Sequence, residues 1–180
     1  MNGEVFVVLD RDGTLIEHVP YLTRLDQVVV IPEAVDAVRI LNEARIPTVV
    51  ITNQPVVSKG LINRTTLDLL HLKLSETFRP RDAELGQFYV CPHQESDHCQ
   101  CRKPRTQLLR RAADSLGLDP SSAFVIGDSL VDMELASNIG ARGLHVQTGI
   151  LKEPPEKYLS FANLLEAAQL VLSSRDSGGP

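Results

Sequence analysis

The stretch from Val5 to Thr14 constrains this chain most, because a run of five apolar residues ends directly in two acids, Asp10 and Asp12. An uninterrupted apolar run predicts a strand that is buried on both faces, and Gly13 predicts a turn at its carboxyl end. Open α/β sheets bind their ligands at that end of the strands. Two carboxylates so close together repel each other, so the pair predicts either a bound cation or a retained proton.

The rest of the chain alternates between short apolar runs and segments of helical period. These patterns predict strands at 47–52, 87–90, 123–127 and 143–146, with a short extra strand at 28–31. They predict helices at 32–45, 64–78, 106–116, 130–139 and 161–172, the second of them with Asn63 as its N-cap. Strands that alternate with helices indicate an α/β fold, here a doubly wound, Rossmann-like parallel sheet with right-handed crossovers.

The length of 180 residues and the apolar fraction of 43% suit one domain with its own core, which we place at residues 1–172. The Ser- and Gly-rich segment 173–180 predicts a disordered tail. The sequence predicts no large cap domain, so the loops at 15–27, 53–62 and 91–104 would have to recognise a substrate.

The charge and the apolar runs exclude several classes of protein. The net charge of −5, with dispersed acids, disfavours a general nucleic-acid binder, which needs a basic face. No apolar run approaches the roughly 18 residues that cross a bilayer. The amino terminus has neither the basic start nor the small-residue cleavage site of a secretory signal. We therefore expect a cytoplasmic monomer without a nucleic-acid or membrane partner.

Three of the predicted strands end in polar residues, namely Asp10 and Asp12, Thr52 and Asn53, and Asp128 with Asp132 one helical turn further on. Parallel strands bring all these ends to the same edge of the sheet, so residues far apart in sequence converge there. A cluster of four acids is unstable without a cation, and carboxylate and carbonyl oxygens are the ligands that Mg²⁺ prefers. The sequence therefore predicts a magnesium site, which commonly sits beside a phosphate.

Lys103 is the cation that this cluster lacks. It lies just before a predicted helix start, where backbone N–H groups and its own charge could both meet an anion. Carboxylates, a hard cation and a lysine together are typical of phosphoryl transfer, in which the protein mainly positions groups and neutralises charge.

All three cysteines of the chain fall within eleven residues, beside a histidine. An odd number of cysteines without an export signal disfavours a disulfide framework. Three thiolates and an imidazole match a closed, structural Zn²⁺ site, for which we predict the ligands Cys91, His93, Cys99 and Cys101. His98 is a rival ligand, but its adjacency to Cys99 makes its geometry worse. Zinc would fix the loop 91–101 and the basic residues that follow it.

Four short motifs together carry a resemblance to a known family. They are Asp10-Arg-Asp12-Gly-Thr14, Thr52-Asn-Gln54, Lys103-Pro104 and Gly127-Asp128-Ser-Leu-Val-Asp132. In this order they resemble the motifs of the haloacid dehalogenase superfamily of phosphatases, over roughly residues 4–149. The resemblance implies a fold of the haloacid dehalogenase type and the Mg²⁺-dependent hydrolysis of a small phosphorylated metabolite.

The resemblance also implies a role for each motif. Asp10 would attack phosphorus and become an aspartyl phosphate, while Asp12 would act first as general acid and then as general base. Thr52 and Lys103 would hold the phosphoryl oxygens. The magnesium ligands would be Asp10, the backbone carbonyl of Asp12, and Asp128. Asp132 would orient Lys103 or a metal-bound water, with a solvated helix acid as the alternative.

The cysteine and histidine segment narrows the resemblance to one branch of the superfamily. Its continuation, Cys101-Arg-Lys-Pro104, is similar to that of the heptose 1,7-bisphosphate 7-phosphatases and of the histidinol-phosphate phosphatase domains. The heptose enzymes are favoured, although Thr14-Leu15, Pro55-Val56 and Pro104-Arg105 depart from their pattern and leave other sugar phosphates open. The resemblance implies substrate contacts from Tyr21, Asn53, Gln54, Lys59 and Arg102. Lys59 and Arg102 are candidates for binding a second anionic group, with solvated surface bases as the alternative.

Two other classes of protein fit less well. A receiver-type signalling module would have adjacent acids on the first strand and a phosphorylated aspartate on a middle strand, where this chain has Thr52. A zinc-binding interaction module without catalysis would have lost an acid of the first motif, and both are present. The remaining histidines, His18, His71 and His145, receive no predicted role.

Overall fold

The structure is a computed structural model that describes residues 4–154 and 156–176. The strands of this part of the chain are β1 Phe6–Leu9, β2 Thr48–Asn53, β3 Phe88–Cys91, β4 Ala123–Gly127, β5 Arg142–Val146 and β6 Leu159–Phe161. They form one parallel sheet in the spatial order β3-β2-β1-β4-β5-β6. The order reverses direction beside β1, as in doubly wound folds. The predicted α/β fold class is therefore confirmed.

The α-helices of the described residues cover both faces of the sheet. They are α1 Pro32–Glu43, α2 Arg64–Phe78, α3 Gln107–Leu116, α4 Leu130–Ile139 and α5 Leu164–Asp176. Buried residues of α1, α2 and α5 form one core with Val7 and Leu9 of β1. Buried residues of α3 and α4 form a second core with Phe6 and Val8. Alternate residues of β1 thus face opposite cores, which explains its unbroken apolar run.

The helix boundaries follow local signals in the sequence. Pro32 is the first residue of α1, where its missing N–H costs nothing. The side chain of Asn63 accepts a hydrogen bond from the backbone N–H of Thr66 at 2.8 Å and caps α2, as predicted. Gly117 ends α3 with a φ of +69°, a conformation that favours glycine. None of these described helices has the length and apolar character needed to span a membrane.

The end of the chain differs from the prediction of one helix over 161–172. Leu159–Phe161 forms the edge strand β6, and α5 begins only at Leu164. The strand has three residues, none of them buried, so it carries no periodic signal, and it exists because it pairs with β5. The last helix continues to Asp176, four residues into the segment predicted as a tail. The rest of that segment, 177–180, lies outside the described residues.

The extra strand predicted at 28–31 does not form. Val30 makes only an isolated antiparallel bridge to Ile16, and Ile31 is already the N-cap of α1. A ladder needs a partner strand of several residues, and the turn after β1 offers a single one at this point. The segment nevertheless anchors the loop that follows Asp12, because the N–H of Ile31 donates to the carbonyl of Leu15 at 3.1 Å.

Close backbone approach at Gly86 predicts a measurable packing constraint. A Cβ atom at Gly86 would lie 1.6 Å from the backbone carbonyl oxygen of Thr48 on β2, so the backbone itself would have to move. We expect Gly86→Ala to lower the free energy of unfolding by about 3 kcal/mol, measured by urea denaturation. Gly117→Ala is the matched control, since its Cβ meets open space, and only its positive φ should cost about 1 kcal/mol. Equal losses in the two variants would contradict the steric argument.

Candidate active site

The side chain of Lys103 lies between two carboxylates at the carboxyl edge of the sheet. Its Nζ donates to Asp10 Oδ1 at 2.7 Å and to Asp132 Oδ1 at 2.7 Å. Asp10 follows β1, whereas Asp132 lies in the first turn of α4, and all three side chains are buried or nearly so. Burial lowers the pKa of Lys103, but the two carboxylates outweigh it, so the pKa is raised above its usual range. Lys103 is therefore a permanent cation in this site.

Asp128, which follows β4, completes an acidic cluster. Carboxylate oxygens of Asp10, Asp128 and Asp132 all lie within 4.8 Å of one another. Burial raises the pKa of Asp10 to about 8; the Lys103 ammonium opposes that shift, and the neighbouring carboxylates add to it. Burial also raises the pKa of Asp128. Both shifts mean that an unneutralised site resists full ionisation.

The donor set of this cluster fits a hard divalent cation. Three carboxylates and one ammonium leave two negative charges in excess when all are ionised. Carboxylate oxygen is the donor that Mg²⁺ prefers, and a dication would cancel that excess. Asp132 is already engaged, because its second oxygen accepts from Ser129 Oγ at 2.6 Å. Asp10 and Asp128 are thus the carboxylates with capacity for a metal ion.

The loop after β5 holds Asp128 in place. The backbone N–H of Ile150 donates to Asp128 Oδ2 at 2.9 Å, and a Cβ on Gly149 would lie 1.7 Å from that oxygen. His145 is fully buried, and its Nε2 lies 3.2 Å from the backbone carbonyl of Asp128. A carbonyl only accepts, so Nε2 carries the hydrogen. His145, for which the sequence predicted no role, therefore supports the backbone of Asp128.

Asn53 and Gln54 hold protein groups in this structure. The Asn53 amide makes two hydrogen bonds to the backbone of Lys103, accepting from its N–H at 3.0 Å and donating to its carbonyl at 3.2 Å. The Gln54 amide nitrogen donates to both Asp12 Oδ2 and Thr52 Oγ1 at 2.8 Å. Both were predicted as substrate contacts, and nothing in the sequence indicated that their polar atoms face Lys103, Asp12 and Thr52. Their first function here is to align those neighbours.

Asp12 is separate from the acidic cluster and is held by Arg11. The Arg11 guanidinium donates through Nε to Asp12 Oδ2 at 3.1 Å and through Nη2 to Oδ1 at 3.0 Å. Its remaining nitrogen, Nη1, lies 3.2 Å from Nε2 of His71 on α2. Burial and then the Arg11 charge lower the pKa of His71 to about 3, so the imidazole is neutral and accepts this bond. Sequence reasoning missed both Arg11 and His71.

A cavity of about 440 Å³ opens onto these groups. Its wall combines residues of the acidic edge with loop residues, among them Asp10, Asp12, Thr52, Arg102, Lys103 and Asp128. His18, Tyr21 and Ile150 line its mouth from the loops after β1 and β5. Lys59 does not line it directly, but its Nζ donates to the Tyr21 hydroxyl at 2.6 Å. His18 is a pocket residue that the sequence had left without a role.

The cysteine and histidine segment forms a second cluster at the end of β3 and in the loop that follows. Single donor atoms of Cys91, His93, Cys99 and Cys101 lie within 4.8 Å of one another, and His98 is not in this group. The sulfur–sulfur separations are 3.3–3.6 Å, and His93 Nδ1 lies 3.2 Å from Cys101 Sγ. A tetrahedral ion with bonds of about 2.3 Å to sulfur would need separations of roughly 3.8 Å. The observed sulfur–sulfur separations are a few tenths of an ångström shorter than that value, so the four donors would fit a tetrahedral metal ion after a small expansion.

The thiols of this cluster differ in acidity. Burial raises the pKa of Cys91 above its usual range. Burial also acts against ionisation of Cys99, but hydrogen bonds from the backbone of Arg102 and from its two neighbouring thiols lower its pKa to about 7. A thiolate is the form that binds metal, so the hydrogen bonds at Cys99 favour the state that a metal ion needs.

Comparison with known sequences places these features in a family. The HAD-hydrolase-like family model matches residues 100–168. The chain is 32% identical to the D-glycero-beta-D-manno-heptose-1,7-bisphosphate 7-phosphatase of Pseudomonas aeruginosa, over 92% of this chain and 97% of that protein. It is 31% identical to the histidine biosynthesis bifunctional protein HisB of Blochmanniella floridana, over 80% of this chain but only 41% of that protein.

Solved structures agree with the sequence comparison. The D,D-heptose 1,7-bisphosphate phosphatase from B. bronchiseptica, complexed with magnesium and phosphate, matches with a TM-score of 0.87. The match covers 94% of this chain and 99% of that one, at 27% sequence identity. That protein therefore shares both the sheet topology and the overall dimensions of this chain.

The low pKa of His71 predicts an acid-dependent loss of stability. The unfolded chain protonates His71 near pH 6.5, whereas the folded chain does so only near pH 3, so stability falls as the pH drops between these values. Arg11 and Arg64 lower this pKa, while Asp68 and Asp12 oppose them more weakly than burial acts. His71→Gln keeps an acceptor without titrating and should remove about 1.4 kcal/mol per pH unit from the slope, measured by urea unfolding.

The control for this experiment is His98→Asn, which changes an exposed histidine on the loop beyond β3. Its stability should depend on pH as that of the unmodified chain does. A His71→Gln protein with an undiminished slope between pH 6.5 and pH 3 would show that His71 is protonated in the folded state.

Proposed function

Because the chain belongs to the haloacid dehalogenase superfamily, in the family of the heptose 1,7-bisphosphate phosphatases, we propose that it removes the 7-phosphate from D-glycero-D-manno-heptose 1,7-bisphosphate. The reaction is hydrolysis of a phosphoric monoester through an aspartyl phosphate. One observation supports this proposal above the others: Lys103 bonds to Asp10 in a pocket that also contains Asp128. A nucleophile, a cation and a metal-binding acid are the parts that phosphoryl transfer requires.

The first step forms the aspartyl phosphate. A carboxylate oxygen of Asp10 attacks phosphorus, the bond from phosphorus to the sugar oxygen breaks, and the carboxyl group of Asp12 gives that oxygen its proton. Two N–H bonds of Lys103 point at carboxylates, which leaves the third for a phosphoryl oxygen. The Thr52 hydroxyl accepts from Gln54, which leaves its hydrogen to donate to another phosphoryl oxygen.

The second step releases phosphate. Water attacks phosphorus, its proton passes to Asp12, and the bond between phosphorus and Asp10 breaks, which restores both carboxyl groups. Mg²⁺, held by Asp10, Asp128 and the backbone carbonyl of Asp12, would supply charge neutralisation for the phosphoryl group. Asp132 keeps the Lys103 ammonium directed at Asp10 through both steps.

Loop residues at the cavity mouth are the proposed source of specificity. Arg102 lines the cavity, and Lys59 lies 4.3 Å from the ring centre of Tyr21, over its face. These two cations are suited to the second phosphate of a bisphosphate substrate. Hydrolysis of histidinol phosphate is the alternative, and it has weaker support, because the match to HisB covers less than half of that protein.

We propose that the cluster of Cys91, His93, Cys99 and Cys101 binds structural zinc. Four protein donors fill a tetrahedral site and leave no position for a reacting water. Cys101 precedes Lys103 by two residues, and Arg102 Nη1 donates to the His93 carbonyl at 3.3 Å, so the ion would stiffen the segment that carries the phosphate-binding lysine.

The proposed nucleophile and acid can be tested by substitution. We expect Asp10→Asn to abolish phosphate release from the heptose bisphosphate, because an amide cannot attack phosphorus. Asp12→Asn should slow turnover by about 10²–10⁴-fold, the usual contribution of a general acid–base group. The assay is inorganic phosphate release with Mg²⁺ over the heptose bisphosphate, other sugar phosphates and histidinol phosphate.

Asp114→Asn is the matched control, since it changes an exposed carboxylate on α3 in the same way and should keep full activity. Undiminished turnover in Asp10→Asn would overturn the mechanism. A preference for histidinol phosphate over every sugar phosphate would overturn the substrate but leave the chemistry standing.

Substitution of a thiol tests the zinc site. Cys99→Ser should lower the bound zinc, measured by mass spectrometry of the metal content, because it removes one of four donors. It should also weaken turnover, since the segment that carries Lys103 would lose the ion that stiffens it. His98→Asn, which alters the adjacent residue, should retain one zinc per chain. Full zinc occupancy in Cys99→Ser would remove Cys99 from the ligand set.

A further inference from the structure

Arg11 is among the largest fully buried side chains of the described residues, with 1% of its surface exposed. All its contacts described above are polar: two donors on Asp12 and one on His71. Burying a charged pair usually costs as much solvation energy as the attraction returns, so such a pair is weak evidence for stability. The relevant effect of the Arg11 contacts is therefore how they orient the Asp12 carboxylate.

The hydrogen bonds on Asp12 leave little freedom to its carboxylate. Oδ2 accepts from Arg11 Nε and from Gln54 Nε2, which uses both of its lone pairs, and it also lies 2.9 Å from Arg11 Nη2. Oδ1 accepts from Arg11 Nη2, which uses one of its two. One acceptor position therefore remains, and it lies on Oδ1. A proton that enters or leaves this carboxylate without breaking its hydrogen bonds must do so there.

We propose that Arg11, held in place by His71, is a positioning residue that fixes the Asp12 carboxylate so that Oδ1 is the atom that exchanges the proton. The inference rests on the phosphatase function proposed above and adds the positioning residue and the reacting atom. It assigns α2 a part in the chemistry, because His71 lies on that helix.

The ring of His71 is both fixed in orientation and able to accept a hydrogen bond from Arg11. Its ring stacks on Phe88 of β3, with centroids 4.3 Å apart and an interplanar angle of 16°, so its orientation is set by the sheet. Arginine only donates, so its partner must accept, and Nε2 of a neutral imidazole does so. The chain of contacts thus runs from a strand through a helix to the carboxylate.

Lysine could not replace Arg11 in this role. A guanidinium is a rigid planar fork whose two donors fix the plane of a carboxylate, whereas an ammonium is a point charge that leaves the plane free. Arg11→Lys therefore keeps the charge and removes the orientation. His71→Phe keeps the stacked ring and removes only the acceptor, which gives a second variant should the first fail to fold.

The test compares two leaving groups. A sugar alkoxide needs a proton as it leaves, whereas p-nitrophenolate does not, so only the first depends on a well-placed Asp12 in the step that forms the aspartyl phosphate. Single-turnover release of p-nitrophenol, with enzyme in excess over p-nitrophenyl phosphate, isolates that step. Steady-state hydrolysis of the sugar phosphate gives kcat and KM.

We expect Arg11→Lys and His71→Phe to lower kcat for the sugar phosphate by about 30-fold with KM changed less than about twofold. Single-turnover release of p-nitrophenol should fall less than about threefold. Arg64→Lys, a change of the same kind in an exposed ion pair on α2, should match the unmodified chain in both assays.

Two results would overturn the inference. An equal loss with both leaving groups would mean that the substitutions damage the whole site, and an unchanged kcat in both variants would mean that Asp12 needs no such support. Failure of the proposed function is distinct, since it would appear as turnover that survives Asp10→Asn, whatever the Arg11 variants do.

Discussion

The contact between Lys103 and Asp10 is the interaction on which the arrangement of this site depends. The two residues are 93 positions apart, and Lys103 Nζ lies 2.7 Å from Asp10 Oδ1. They meet because β1 ends, and the loop after β3 begins, at the same edge of a parallel sheet. The ammonium is shared with Asp132, so a third element, α4, is tied to the same point. Without this cation, carboxylates from β1, β4 and α4 would face one another in a buried space. The fold thus brings like charges together and places one counter-charge between two of them.

Most of the framework could be predicted from the sequence, since β1, β2, β4 and their helices carry long apolar signals, and the acids stand at strand ends. The edge strand β6 could not, because it forms through pairing with β5 and has three residues without buried side chains. The acids of the site were predictable as residue types at the ends of motifs. Their supports were not, because His71 and His145 act through tertiary contacts, and Arg11, although adjacent to Asp12 in sequence, is held by His71. A histidine in a helix or strand gives no sign of what it meets in space.

Three further groups support the residues that we propose react. Asn53 fixes the backbone of Lys103, Gln54 joins Asp12 to Thr52, and Ile150 donates to Asp128. The residues that we propose react are therefore held by the end of β2 and by the loop after β5. A small shift of either segment would therefore reorient the side chains that we propose act on the phosphoryl group.

The backbone around Asp128 tolerates fewer amino-acid substitutions than the mouth of the cavity does. Gly13 and Gly149 lie so close to that carboxylate that a Cβ at either would fall 2.4 Å or 1.7 Å from Oδ2. The side chains at the mouth are more exposed, with Tyr21 at 52% and Ile150 at 64%. Single substitutions at the mouth can therefore change which metabolite enters the cavity, whereas substitutions at Gly13 or Gly149 would displace Asp128. New substrate specificities on this fold should therefore arise by substitution at the cavity mouth, without change to the acidic cluster.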